Sequence, residues 1–419
     1  MRRLEVLHFS DVHLGLENYS RIDTDTGLPS RLVDCLRALD EVVNTALEEQ
    51  VDLVLFTGDM YKSRDPSPTH QRELAKRIAR LCREGVPLFM LVGNHDLPNS
   101  PVRAHSIEVF EALPLTSVYV AGRPTLLRIE TKAGPVQVLA LPWAPRSRLL
   151  RQDEARNLTL DELNQRLVQK LTEFVRLRVA DLDPRLPSIL AIHAQVYGAT
   201  FGSERATTLG HDYILSLGDL CLTHFDYVAL GHIHKMQQVH DHPPAIYPGS
   251  LQRADFSEEG EEKGFLRLSF EPHSAGDRPY TVRWRFVPSA AARRFFTLSV
   301  DASQADDPTR LVLKQIEQHA DQIQEAVVRV RVRLSSENER QFRVADVRRA
   351  LREAHYVAAI ARIVESAPAH ALPDVLAEQL APLEALELYL KARGVEEARR
   401  NVLLEYAARL IAGINQPAF

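Results

Sequence analysis

Short, almost wholly apolar runs alternate with amphipathic helical patterns along the first two-thirds of the chain. Residues 4–9 (LEVLHF) form one such run, and a helical pattern over 32–49 follows with Leu32, Leu36, Leu39, Val43 and Leu47 at helical spacing. A run at 51–57, a helical pattern at 69–84 and a run at 87–92 continue the series. Continuous apolar runs this short suit strands buried on both faces, so the βαβαβ order predicts an α/β sheet covered by helices. Further strands are expected at 136–141, 188–193, 227–230, 264–270 and 281–286, with a long helix at 160–179.

From about residue 293 the texture changes. Strand patterns at 296–300, 327–334 and 357–364, with helical patterns at 309–320 and 344–354, make a small α+β unit. Residues 366–374, with Pro368 and Pro373 among alanines, read as a linker. The remainder is helical with a break at Gly394, which suits a helix C-cap. The expected division is therefore 1–287, 293–365, a linker at 366–374, and a helical segment at 375–419. At ~150 residues per domain, 419 residues accommodate such a plan.

Composition narrows the class. With 45% hydrophobic and 26% charged residues, the chain is neither disordered, collagen-like nor a small disulfide scaffold. Its 51 Lys and Arg against 56 Asp and Glu disfavour a cationic DNA coat protein but leave room for a nucleic-acid enzyme with localised basic groups. Cys35, Cys82 and Cys221 are scattered and form no CxxC pair, as expected for thiols in a reducing compartment. His8, Ser10 and Asp11 interrupt the opening MRRLEVLHFSDVH, so no secretory h-region is expected, and no run of ~20 apolar residues suggests a membrane span. A soluble, cytoplasmic protein with no membrane partner is the expectation.

The polar residues that end these runs carry the chemistry. Asp11 and His13 follow the first run in FSDVH, Asp59 ends FTGD, Asn94, His95 and Asp96 end LVGNHD, and His193 ends ILAIH. A fifth element, VALGHIH, offers His232 and His234. Open α/β sheets bind ligands at the carboxyl ends of their strands, so these groups fall where a shared site would form. Carboxylate oxygen, amide oxygen and imidazole nitrogen without thiolate suit Mn²⁺, Fe or Zn rather than a Cys-rich structural zinc site. Each fragment alone has a plain reading as a turn, a cap or a hydrogen-bonded core histidine. Five such coincidences in one order do not.

The ordered set DVH, GD, GNHD, strand-end His and GHIH resembles the calcineurin-like metallophosphoesterase superfamily. GDMYKSRDPSP, AIHAQVYG, ALGHIHKMQ and YPGSLQRADFSEEGEEKGF narrow the resemblance to the SbcD family of DNA repair nucleases over most of residues 1–285. That resemblance implies a metallophosphoesterase αββα sandwich with a small α+β capping domain and a C-terminal helical tail. It implies two divalent metal ions per chain, with Mn²⁺ favoured. Asp11, His13 and His234 would hold one, Asn94, His193 and His232 the other, and Asp59 would bridge them. His95 would contact the phosphate and assist the leaving oxygen, and Asp96 would orient His95, or else cap the following segment. Relatives often carry His or Asp three residues after the bridging aspartate; here Lys62 stands there, able to hold phosphate as a point charge but not to ligate metal while protonated.

Other features have two readings each. In VVRVRVRL, period two places Arg329, Arg331 and Arg333 on one sheet face, either as a solvated face or as a rail for the DNA backbone. Arg253 in GSLQRADF approaches the site on one reading, while on the other Gly249 and Ser250 simply form a turn. Leu74, Ile78 and Leu81 form a helical stripe that is core by default; the resemblance adds that this region, with a helix near 102–113, forms a homodimer. Leu383, Leu386 and Leu390, then Leu403, Ala407, Leu410 and Ile411, line two helical faces that either fold back or dock on a partner. The resemblance names that partner as an SbcC-like SMC-family ATPase.

The expected function is a Mn²⁺-dependent DNA nuclease subunit, a 3′–5′ exonuclease on duplex ends and an endonuclease on single strands and hairpins, in double-strand break repair and recombination. The residues themselves support only metal-assisted phosphoester hydrolysis. A small-nucleotide phosphodiesterase or phosphatase, and an inactive scaffold of the same fold, are the alternatives. No GxxxxGK[ST] loop is present, so any ATP dependence must come from a partner.

Overall fold

The computed structural model describes residues 2–98, 100, 103–145, 158–202, 213–220, 223–273, 280–365 and 382–414. The expected linker 366–374 and Cys221 lie outside the described residues.

Two six-stranded sheets carry the first part of the chain. One contains β1 (Leu4–Phe9), β2 (Leu53–Phe56), β3 (Leu88–Leu91), β4 (Val118–Ala121), β13 (Gly264–Pro272) and β14 (Tyr280–Pro288), in the order β14-β13-β1-β2-β3-β4. Strands β1 to β4 are parallel, while β13 and β14 add antiparallel neighbours on one side. The other sheet comprises β5 (Thr125–Thr131), β6 (Gly134–Leu141), β7 (Ser188–His193), β10 (Tyr227–Gly231), β11 (Gln237–Asp241) and β12 (Pro244–Tyr247). Its order is β11-β12-β10-β7-β6-β5, with β6, β7, β10 and β12 parallel. A two-residue pair, β8 (Gln195–Val196) with β9 (Ile214–Leu215), stands beyond the end of β7.

Three apolar clusters account for the layering. Val6, Leu55, Phe89 and Leu91 of one sheet meet Val138, Ile189, Ala191 and Ala229 of the other. The outer face of the first sheet, with Leu7, Phe9, Val54 and Phe56, is covered by α1 (Ser30–Glu48) and α2 (Pro68–Arg83). The second sheet is covered by α3 (Leu160–Arg178) through Leu167, Leu171 and Val175. Both faces of each sheet are thus apolar, and this first part of the chain is an αββα sandwich. Local chemistry sets the helix starts: Ser67 accepts from the His70 amide with Pro68 behind it, and Thr159 and Glu162 form a capping box.

The chain divides into two compact units, one of Met1–Thr297, His319–Arg329 and Leu351–Ala358, the other of Leu298–Gln318, Val330–Ala350 and Ala359–Phe419. Strands β15 (Phe295–Asp301), β16 (Val327–Ser335) and β17 (Tyr356–Glu365) pair in the order β15-β16-β17 and contribute residues to both. The second unit also contains α4 (Pro308–Gln318), α5 (Val344–Ala350) and the helical pair α6 (Pro382–Ala392) and α7 (Glu397–Ile414), with Gly394 at φ +65° between them. Among the described residues, the helix expected near 102–113 comprises the four-residue Val109–Ala112. Among the described residues no helix is long and apolar enough to cross a membrane.

Candidate metal centre

Every residue of the expected ligand set lies at or just beyond the carboxyl end of a parallel strand of the sandwich. Asp11 and His13 follow β1, Asp59 follows β2, Asn94 and His95 follow β3, His193 ends β7, and His232 and His234 follow β10. Because the two sheets pack face to face, these strand ends converge. Donor atoms of Asp11, His13 and His234 lie within 4.8 Å of one another, as do those of Asp59, His193 and His232. Asn94 joins the second group, its Oδ1 3.0 Å from His193 Nε2 and 3.1 Å from His232 Nδ1. A third group, His13, Asp59 and His95, links the first two.

The backbone is bent to achieve this. Asp11, His13, Asp59 and His232 have φ of +51°, +50°, +63° and +101°, in the left-handed region that L side chains rarely occupy. Such strain costs roughly 1–3 kcal/mol per residue and persists only where surrounding bonds enforce it. The enforcing bonds are visible: Asp11 N donates to Gly58 O, His13 N to Asp59 O, and His232 N to Asp11 Oδ2. The glycines of GD and GNHD have a steric reason. A Cβ on Gly58, at φ +105°, would fall 2.2 Å from His193 Nδ1, and one on Gly93 would fall 2.1 Å from Asp59 Oδ1.

The donor arrangement itself fits cations. His193 Nδ1 donates to Thr57 O at 2.6 Å, which leaves Nε2 facing Asp59 Oδ2 at 3.5 Å. His234 Nδ1 donates to Glu258 Oε1 at 2.9 Å, which leaves its Nε2 3.0 Å from His13 Nε2. A lone pair facing a carboxylate oxygen is repulsive unless a proton or metal ion stands between them. Asp11 Oδ1 is buried with no hydrogen-bond partner among the described residues. Imidazole and carboxylate atoms crowded together and nearly inaccessible to water, able to share either protons or cations, suit a metal site.

The electrostatics agree. Burial opposes a charge on His193, yet the Asp59 carboxylate holds its pKa up at about 9. Burial also opposes the ionised Asp59, but the facing His193, with His95 and His13, keeps it well below the ordinary carboxylate range. The imidazole of His13 is pushed well below its usual value by burial and then by His234. This pocket favours a compact positive charge beside Asp59.

Not every expected role matches the geometry. Asp96 does not orient His95. Its Oδ2 accepts from Asp59 N and Gly93 N, both at 3.0 Å, and its Oδ1 from Met60 N at 3.1 Å and Ser106 Oγ at 3.2 Å. It therefore clamps the loop that carries Asp59, and burial together with the Asp59 charge raises its pKa to about 6. His95 is oriented instead by Lys62, whose backbone oxygen accepts from His95 Nδ1 at 3.0 Å, while His95 N donates to Asp59 Oδ1 at 2.8 Å. A carbonyl contact of this kind leaves no trace in residue type. Arg253 is occupied by the carbonyls of Arg293 and Glu261 at 2.9 and 2.6 Å.

The arginine strand alternates as expected, with Val328, Val330, Val332 and Leu334 buried on the opposite face. Arg329 is engaged, bonded to Thr297 Oγ1 at 2.9 Å and stacked over Phe256 at 4.3 Å. Arg331 and Arg333 are exposed, with Asp301 3.7 Å from Arg333. Two residues escaped the sequence reading. Glu258, buried in a short turn, holds His234; Trp143 stacks 5.1 Å from the His232 ring.

The calcineurin-like phosphoesterase family model matches residues 4–236, more than half of the chain. The chain belongs to this family. All strand ends that supply the phosphoesterase site fall inside the matched span. Among curated relatives, the SbcD component of the SbcCD nuclease from Escherichia coli K12 and its counterpart from E. coli O157:H7 are each 30% identical over 278 residues, 64% of this chain and 65% of theirs. The phosphoesterase thus spans about 65% of the length of the curated relatives it matches. A solved structure, the GAP50 anchor of the Plasmodium inner membrane complex, aligns at 11% identity and a TM-score of 0.40, covering 69% of this chain and 86% of its own. Likeness at that level supports no functional comparison.

Proposed function

We infer that the chain is the catalytic subunit of a two-metal DNA nuclease, hydrolysing phosphodiester bonds at the strand-end site. The observation that carries this reading is the convergence of Asp11, His13, Asp59, Asn94, His193, His232 and His234, with donor atoms such as His13 Nε2 and His234 Nε2, His193 Nε2 and Asn94 Oδ1, and His193 Nε2 and Asp59 Oδ2 at 3.0, 3.0 and 3.5 Å. Asp11, His13 and His234 would hold one divalent ion and Asn94, His193 and His232 the other, with Asp59 between them. Two such ions, Mn²⁺ as the resemblance favours among the Mn²⁺, Fe or Zn that these donors suit, would supply Lewis-acid stabilisation of charge developing on the phosphoryl oxygens. His95, with Nδ1 tied to Lys62 O, has only Nε2 left to meet a phosphate oxygen or the leaving group. Asp96 holds Asp59 in place.

Similarity to the SbcCD nuclease component supports nuclease action; on the resemblance read from the sequence, the substrate would be DNA, cut as a 3′–5′ exonuclease and a single-strand or hairpin endonuclease in break repair and recombination in the cytoplasm. The name of that relative suggests an SbcC-like partner; the same resemblance would make that partner an SMC-family ATPase and the chain a homodimer. Residues 293–365 would then cap the nuclease domain 1–287, with Lys62, Arg331 and Arg333 meeting DNA phosphates. The segment 375–419 would grip the ATPase, in keeping with exposed Tyr389, Val402, Tyr406 and Leu410 on α6 and α7. Hydrolysis of end-labelled duplex DNA, set against an aryl phosphate with and without Mn²⁺, tests the reading. Metal-dependent shortening from 3′ ends is expected; turnover of the aryl phosphate alone would return the chain to the small-nucleotide phosphodiesterases.

A further inference from the structure

His234 differs from two other imidazoles of the site in what stands behind it. His193 and His95 lean on backbone carbonyls, whereas His234 leans on a buried carboxylate. Glu258 is 0% exposed and sits in the turn Phe256–Glu258, where Asp255 Oδ1 accepts from Ser257 N at 2.7 Å. One oxygen, Oε1, lies 2.9 Å from His234 Nδ1. The other, Oε2, accepts from Ala254 N and from Lys263 Nζ, each at 2.9 Å. Lys263 is itself 2% exposed, and its ammonium also donates to His234 O at 2.9 Å and to Glu261 Oε2 at 2.8 Å. Residue 234 is therefore held twice by one buried ion pair, directly at its carbonyl and through Glu258 at its ring.

We propose that Glu258 is a positioning residue that fixes His234 as its Nδ1–H tautomer, presenting the Nε2 lone pair to a divalent ion shared with Asp11 and His13. This rests on the two-metal reading above. A carboxylate accepts from an imidazole N–H but cannot donate to it, so the bond leaves Nε2 unprotonated and makes it a better donor. A carboxylate also polarises the ring more than a carbonyl does. In the second donor group, His193 is backed by the Thr57 carbonyl and His232 turns its Nδ1 to Asn94 Oδ1 at 3.1 Å, so the Nδ1 of each has a backing group other than Glu258. The consequence is asymmetric: removing the Glu258 charge weakens the ion near Asp11 and leaves the one near Asn94 bound.

The rival role for Glu258 is simply to neutralise Lys263. Two variants separate the roles. Glu258→Gln keeps the volume, and Lys263 retains Glu261 and the His234 carbonyl, so folding is expected to survive. Glu258→Gln with Lys263→Met removes both charges together. Titration of metal-free full-length chain with Mn²⁺ by calorimetry reads each affinity, and electron paramagnetic resonance of the loaded protein reads whether two Mn²⁺ ions are exchange-coupled. Loss of such a supporting carboxylate typically costs about 10–100-fold in metal affinity. That loss is expected at one ion only in both variants, with the coupled spectrum replaced by that of an isolated ion. Wild-type affinity in the double variant would assign Glu258 to Lys263 and overturn the proposal, as would unchanged binding in Glu258→Gln. Failure of the wild-type chain to bind two ions would instead refute the two-metal reading on which it rests.

Discussion

Gly93→Ala places the smallest available perturbation against the carboxylate that joins the two donor groups. The added Cβ would stand 2.1 Å from Asp59 Oδ1, 2.4 Å from Asp59 N and 2.8 Å from Asp59 Cγ. Comfortable carbon contacts are about 3.5 Å, so Asp59 must retreat by about 1 Å or more. A side-chain rotation does not suffice, because the backbone nitrogen is among the clashing atoms. That nitrogen is held by Asp96 Oδ2 at 3.0 Å, and the carboxylate by His95 N at 2.8 Å. Overpacking of this kind costs roughly 1–3 kcal/mol, which is a fall in Tm of roughly 2–10 °C for a domain of this size. A displacement of about 1 Å in a reacting group costs on the order of 100-fold in rate. Calorimetric melting and Mn²⁺-dependent cleavage of duplex DNA, measured on one preparation, separate the two effects. Gly260→Ala is the control, since nothing lies within 4 Å of its added carbon. A folded Gly93→Ala protein that cleaves DNA like the wild type would refute the placement of Asp59 at the centre of the chemistry.

Three further outcomes are expected. His95→Ala should lower cleavage by about 100- to 10,000-fold while two metal ions remain bound per chain; a parallel loss of metal would make His95 a ligand with His13 and Asp59, whose donors it adjoins. His8 is buried between the sheets, its ring nitrogens 2.9 Å from Tyr227 Oη and Thr57 Oγ1, and burial lowers its pKa from 6.5 to about 3. The folded state therefore stays neutral where the unfolded chain takes up a proton, so this contribution is present above pH 6.5 and is lost as pH falls from 6.5 toward 3. Urea unfolding should show about 1.4 kcal/mol of loss per pH unit in that window from this one group, absent in His8→Gln; an equal slope in the variant would contradict it. Removing the charges of Arg331 and Arg333 should reduce the salt slope of duplex binding by about 2 and leave cleavage of aryl phosphates unchanged, whereas an unaltered slope would return them to a solvated face.

Much of this is legible in the sequence because buried parallel strands leave a strong signature. Leu4–Phe9 and Ser188–His193 coincide with the expected runs, since both faces of those strands are packed. Two edge strands leave none: Gln237–Asp241 is a polar, half-solvated sequence, and Val118–Ala121 is mostly half-buried, so neither stands out from loop. The donor set is readable because its chemistry is unusual at strand ends and because Gly58 and Gly93 mark where one donor's backbone approaches another's side chain. Orientation is what residue order does not convey. Asp96 beside His95 in sequence suggests a pair, but successive residues in a tight loop point apart, and Asp96 turns toward backbone amides while His95 turns to Lys62 O. Glu258 is hidden for the opposite reason, lying 24 residues from the histidine it holds.

Anomalous diffraction from crystals equilibrated with Mn²⁺ bears most directly on the claim that these strand ends cage a pair of ions. Two peaks are expected, one among Asp11, His13 and His234, the other among Asn94, His193 and His232, with Asp59 reaching both. A lone peak elsewhere on the surface, or none at saturating Mn²⁺, would contradict it.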